Sequence, residues 1–156
     1  MTRAIRHIVI HCSATPNGDA RFGLEAIDRM HRERGWRKIG YHYVIEADGT
    51  VRRGRDEDEI GAHVEGSNAH SIGICLIGTD AFVWAQWEAL ARLARHLEDR
   101  YPAADMLGHR DYSPDKDGDG VVEPWEWLKT CPGFDVRTWL LGGMEPMAAN
   151  VLPDAA

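Results

Sequence analysis

Ser71-Ile72-Gly73-Ile74-Cys75-Leu76-Ile77-Gly78 is a nearly continuous apolar run that closes on glycine. A strand without polar alternation is buried on both faces, so this run predicts the central strand of a sheet covered above and below. Working outward, residues 5–11 alternate: Ile8 and Ile10 point one way, His7, Val9 and His11 the other, which predicts a second strand. Residues 41–46 and 50–53 flank Asp48-Gly49, a strong hairpin signal. Met106-Leu107-Gly108-His109 reads as a short strand ending on a histidine. Between the strands lie helical patterns. Leu24, Ile27, Met30 and His31 share one face of a helix that Gly35 ends. Trp87, Leu90, Leu93, Ala94 and Leu97 mark an amphipathic helix over 84–101. A last helix is predicted over 134–141. Strands alternating with helices predict an α/β domain: a single mixed β-sheet with helices packed on both faces.

The chain has 156 residues, one domain's length, with 44% hydrophobic and 28% charged residues. That excludes a disordered tail, a collagen and a two-lobed enzyme. Lys+Arg 18 against Asp+Glu 25 gives a net charge of −7, the wrong sign for a general nucleic-acid binder. No stretch approaches the roughly 18 apolar residues of a membrane span. The start, Met1-Thr2-Arg3-Ala4-Ile5-Arg6-His7, has no apolar signal region. Synthesis in the cytoplasm is therefore expected, with any export by another route. Three widely spaced cysteines, Cys12, Cys75 and Cys131, argue against a disulfide framework. Residues 1–142 are expected to form the domain, and 143–156, after Gly142-Gly143, a mobile tail.

His11, His109 and Cys131 sit at strand or loop ends. Two imidazoles and a thiolate are a sufficient donor set for a catalytic zinc that keeps its fourth position open. Their spacing does not decide the matter, because hydrogen-bonded strand-end histidines and a buried thiol fit it equally.

The surrounding words run in order: Ile10-His11-Cys12-Ser13-Ala14-Thr15; Gly40-Tyr41-His42-Tyr43-Val44-Ile45; Gly61-Ala62-His63; Asn68-Ala69-His70-Ser71 leading into the central run; Gly108-His109-Arg110; and Lys129-Thr130-Cys131-Pro132-Gly133-Phe134-Asp135. This series resembles the zinc-dependent N-acetylmuramoyl-L-alanine amidases of the phage-lysozyme and peptidoglycan-recognition superfamily, over roughly residues 5–141. The resemblance implies zinc ligands at His11, His109 and Cys131, a catalytic Tyr41 and a catalytic Lys129. It implies a cleft lined by His63. Trp36, in the loop before Tyr41, is expected at the border of that cleft. The implied reaction is hydrolysis of the amide between N-acetylmuramic acid and the L-alanine of the stem peptide. Zinc lowers the pKa of its water toward about 7 and polarises the carbonyl. Tyr41 orients the water or shares in proton transfer, and Lys129 stabilises the oxyanion. The implied partner is peptidoglycan or a muropeptide, bound by a monomer, in a phage endolysin that reaches the wall through a lesion made by another protein. The competing readings are a cytoplasmic muropeptide-recycling amidase and a recognition module that binds without cutting. His109-Arg110-Asp111 also matches the kinase catalytic triplet, but no Gly-rich loop or Asp-Phe-Gly accompanies it.

A second motif stands outside that series. Residues 115–126, DKDGDGVVEPWE, fit the EF-hand calcium-loop pattern. Asp115, Asp117, Asp119, the Val121 carbonyl, Glu123 and Glu126 fall at ligand positions for Ca2+. Five carboxylates in so short a loop repel one another without a cation, although a solvated acidic turn is the plainer alternative. Tyr112-Ser113-Pro114 replaces the entering helix, so the pattern is a half-motif with one exiting helix near Pro124. A calcium-regulated binding protein would use this loop but leave the ordered series unexplained.

Overall fold

The computed structural model describes residues 3–154. Its strands are β1 (His7–Cys12), β2 (Tyr43–Ile45), β3 (Val51–Arg53), β4 (Ser71–Leu76), β5 (Phe82–Val83), β6 (Asp105–Gly108) and β7 (Val151–Leu152). Its α-helices are α1 (Leu24–Glu33), α2 (Trp84–Arg100) and α3 (Val136–Leu141). The main sheet runs β3-β2-β4-β1-β6. β4 pairs in parallel with β1 and β2, β6 pairs in parallel with β1, and β2–β3 is the antiparallel hairpin. Every residue of β4 is buried, as its lack of alternation requires.

Alternation along the strands sorts the core into two layers. Ile8, Ile10, Ile72, Ile74 and Leu76 face α2 and α3, where Trp87, Leu90, Leu97 and Trp139 complete one cluster. Val44, Cys75 and Ile77 face α1 and meet Ile27. The amide of Leu24, at the start of α1, donates to Glu46 Oε2 at 3.0 Å, which sets a carboxylate on the positive end of the helix. Gln86 is fully buried yet satisfied: its Oε1 accepts from Val83 N and its Nε2 donates to Ile77 O. Trp87 and Trp139 are buried, 2% and 3% exposed, whereas Trp84, the first residue of α2, is 44% exposed.

Three expectations need correction. The strand predicted over 41–46 is confined to Tyr43–Ile45. Tyr41 and His42 lie outside it, and their carbonyls accept from Arg55 and Gly54 in the following loop. The last helix starts at Val136, capped by Asp135, because Phe134 turns into the core against Trp87. The chain beyond Gly142-Gly143, expected to be a mobile tail, packs as far as Leu152. β7 pairs with β5. Asn150 Nδ2 donates to Asp80 O and Gly133 O, and Trp87 Nε1 donates to Asn150 O. Buried donors and acceptors need partners, and these were supplied by a segment whose short apolar pair, Val151-Leu152, carries no periodic signal. Residues 155–156 of that segment, and 1–2 of the expected domain, lie outside the described residues.

Truncation after Gly142 is expected to cost about 2–3 kcal/mol, from roughly 1 kcal/mol for each of three hydrogen bonds. Thermal unfolding would show a Tm lower by roughly 5–10 °C. An unchanged Tm would restore the free-tail reading.

Candidate metal centre and cleft

The site is built at the carboxyl ends of parallel strands, where α/β sheets place their ligands. β1 and β6 pair with Ile10 opposite Gly108. The next residues, His11 and His109, therefore stand side by side, their Nδ1 atoms 3.1 Å apart. His11 is 1% exposed and lies on the α1 side of the sheet. Cys131 arrives from the loop before α3. Its carbonyl accepts from Arg110 N at 2.8 Å, and its Sγ accepts from Cys12 N at 3.1 Å. One donor atom from each of His11, His109 and Cys131 falls within 4.8 Å of the others. A tetrahedral ion with bonds of about 2.0–2.3 Å holds its donors about 3.3–3.6 Å apart, so the three side chains need little movement to share one. The three predicted ligands thus come together.

Burial sets their charge. Desolvation drives His11 well below the ordinary imidazole value, helped by His63, His109 and Lys129. Desolvation, with Lys129, lowers His109 to about 4. Both rings are neutral donors at physiological pH, the form a metal takes. The thiol of Cys131 is pushed up by its hydrogen bond with Cys12 and by burial. A coordinated cation reverses that preference, because a ligating thiol is deprotonated outright.

A cleft of about 580 Å³ opens beside His109, lined also by Trp36, Tyr41, His63, Arg34 and Lys129. The Tyr41 ring packs at a tilt of 57° against His11, with centroids 5.0 Å apart. Desolvation raises its phenol well above the ordinary value, so it keeps its proton. Lys129 is exposed on the rim. Trp36 packs edge-on against His31. His63 lines the cleft with both ring nitrogens engaged: Nδ1 is 2.9 Å from His11 Nε2, and Nε2 is 3.2 Å from Ser71 Oγ.

The acidic loop lies outside this cleft. Asp115, Asp117 and Glu126, and again Asp117, Asp119 and Glu123, bring carboxylate oxygens within 4.8 Å. Glu126 is fully buried and accepts from Lys116, Asp117 and Glu123 amides. Asp115 accepts from Gly118 and Gly120. The Asp119 amide pulls the Asp117 carboxyl down, but desolvation and crowding by Asp115 and Asp119 outweigh it and push the group up to about 6. The expected exiting helix is only a 3-10 turn, Pro124–Glu126. Trp127 is extended beyond it, which lets the chain reach Lys129 and Cys131. The EF-hand likeness therefore ends at the loop.

Some contributors were not singled out from sequence. The Arg110 guanidinium lies 3.9 Å from the Trp127 ring centroid and ties the His109 turn to the segment carrying Lys129. Asn68 Oδ1 accepts from the amides of His63 and Val64 and fixes the cleft wall. Both stand in the ordered segments, Asn68 at the start of Asn68-Ala69-His70-Ser71 and Arg110 after His109, but neither carried a sign of these contacts.

Comparison with known proteins agrees with this geometry. Residues 1–134 match the family described as N-acetylmuramoyl-L-alanine amidase. The chain belongs to the N-acetylmuramoyl-L-alanine amidase family. It is 39% identical to the endolysin of Klebsiella phage KP32, over 85% of this chain and 83% of that one. Among solved structures, the amidase LysC of Clostridium intestinale superposes with TM-score 0.70 and 29% identity, covering 92% of this chain and 88% of that one. Drosophila PGRP-LB superposes with TM-score 0.68 and 27% identity, covering 85% and 77%. This amidase therefore acts on peptidoglycan and carries the fold of its phage and animal relatives. No helix among its described residues is long and apolar enough to cross a membrane.

Two histidines outside the ligand set make the fold acid-sensitive. Desolvation lowers His31 and His42 to about 4 each, where His31 Nδ1 accepts from Gly40 N and His42 Nδ1 from Gly73 N. The unfolded chain takes up these protons near pH 6.5, and the folded chain near pH 4. Their contribution is full above about pH 6.5 and is lost as the pH falls toward and through about 4. The urea midpoint of metal-free protein should drop steadily from pH 7 to pH 5; a flat profile would contradict the buried neutral assignment.

Proposed function

We propose that this amidase releases stem peptides from peptidoglycan with a zinc ion held by His11, His109 and Cys131, and that it serves as a phage endolysin. The observation that carries the reading is the convergence of two imidazole nitrogens and one thiol at the wall of an open cleft. Zinc supplies a Lewis acid and an activated water when bound by such a set. The chain's own residues do the rest. Lys129 presents an ammonium where negative charge grows on the scissile carbonyl oxygen. Tyr41, held neutral with its ring against His11, supplies a hydroxyl that orients the attacking water or passes a proton. Trp36 and His63 form wall for the bound muropeptide. Retention of Cys131, Lys129 and Tyr41 favours cutting over recognition alone. Work from within the host cytoplasm, on a wall reached through another protein's membrane lesion, fits the endolysin relatives. The reading takes the protein as a monomer, with peptidoglycan as partner and no nucleic acid.

Release of free stem peptide from purified murein tests it. A zinc chelator should abolish release and added zinc restore it. Lys129→Ala is expected to lower kcat about 100–1000-fold, as for loss of an oxyanion donor, and Tyr41→Phe to lower kcat with the zinc content unchanged. Zinc binding without any peptide release would favour a recognition module.

We also propose that the loop over 115–126 takes a structural Ca2+ through Asp115, Asp117, Asp119, the Val121 carbonyl, Glu123 and Glu126, and so steadies Lys129 and Cys131. The crowded carboxylates and the raised Asp117 support it. Calcium added at fixed zinc should raise Tm; no change in Tm or in amidase rate would remove the idea.

A further inference from the structure

His63 has two claims on it, a place in the cleft wall and a bond to a metal-site histidine. The geometry points to the second as its main role: we infer that His63 is a positioning residue that fixes the tautomer and orientation of His11. This rests on the zinc reading above.

His11 turns Nδ1 toward His109 and Nε2 toward His63. A ring that gives one nitrogen to a metal must carry its proton on the other. His11 Nε2–H therefore donates, and His63 Nδ1, 2.9 Å away, accepts. His63 must then hold its own proton on Nε2, which donates to Ser71 Oγ at 3.2 Å. The proton positions along Ser71, His63 and His11 follow from one choice, and that choice leaves the lone pair of His11 Nδ1 facing the site. His63 is 9% exposed, and Ser71 and His11 are more deeply buried still, so water does not substitute for these partners.

The seat for His63 is built into the backbone. A Cβ on Gly73 of β4 would lie 2.6 Å from His63 Cγ, and one on Gly61 would lie 2.7 Å from His63 Cδ2. The central strand thus gives up a side chain at Gly73 where the ring lies on it. From the other side, the amides of His63 and Val64 are held by Asn68 Oδ1. With both ring nitrogens occupied, His63 keeps no polar atom for substrate and offers the cleft only its carbon edge.

The experiment compares zinc affinity, by competition with a chromogenic chelator, for wild type, His63→Ala and His63→Asn, with the metal-free Tm of each recorded. Asn offers an amide oxygen near the position of the His63 Nδ1 acceptor. His63→Ala is expected to weaken zinc binding about 10–100-fold, the usual effect of losing a ligand's outer partner, and His63→Asn to recover it to within roughly threefold of wild type. Nitrogen-15 spectra of zinc-loaded wild type should show His63 protonated on Nε2. The inference is overturned if His63→Ala binds zinc as wild type does and only KM rises, if His63→Asn is as weak as His63→Ala, or if His63 carries its proton on Nδ1. Wild type that binds no zinc would overturn the zinc reading and this inference with it.

Discussion

The parallel pairing of β1 with β6 is the constraint on which everything else rests. Its register, Ile10 against Gly108, brings together two imidazoles that are 98 residues apart in the chain. Nothing local holds them there. The pairing depends on β1 being gripped from the other side by β4, which is buried throughout and has apolar side chains on both faces. The two core clusters above and below β4 therefore do more than stabilise a domain. They hold the strand ends in register, and the strand ends hold the site.

The third corner is brought in differently. Cys131 belongs to a loop, and it is held by backbone rather than by a strand: its carbonyl by Arg110 N, its sulfur by Cys12 N. Each of those amides belongs to the residue next to a histidine of the site, so the register that aligns the histidines also aligns the groups that hold the thiol. The stack of Arg110 on Trp127 closes the same circuit through side chains. The arrangement has a cost in stability. Imidazoles are buried neutral, and an N–H···S contact is weak. A bound cation offsets that cost by adding free energy that the unfolded chain does not receive.

How much of this was legible follows from where the information lies. β4 and α2 were plain because unbroken apolar character and a helical stripe are local patterns. His11, His109 and Cys131 could be shortlisted by chemistry, but their convergence is tertiary; only the ordered words of the family resemblance pointed to it. The docked tail escaped because β7 is a pair of residues whose partner, β5, is equally short. The exiting helix near Pro124 was over-read, since proline at a first turn marks a start without fixing a length. His63 was legible as a cleft residue, whereas its bond to His11 depends on Gly73 and Gly61 leaving room for the ring. A sequence shows those glycines without showing what they admit.

The central claim is that one divalent ion sits between His11, His109 and Cys131 with a side left open. Diffraction from crystals grown with zinc, measured on both sides of its absorption edge, tests it most directly. The account predicts a single anomalous peak within about 2.0–2.3 Å of both Nδ1 atoms and of the Cys131 sulfur, with no fourth protein donor. A peak elsewhere, or an ion closed off by a fourth side chain, would contradict it.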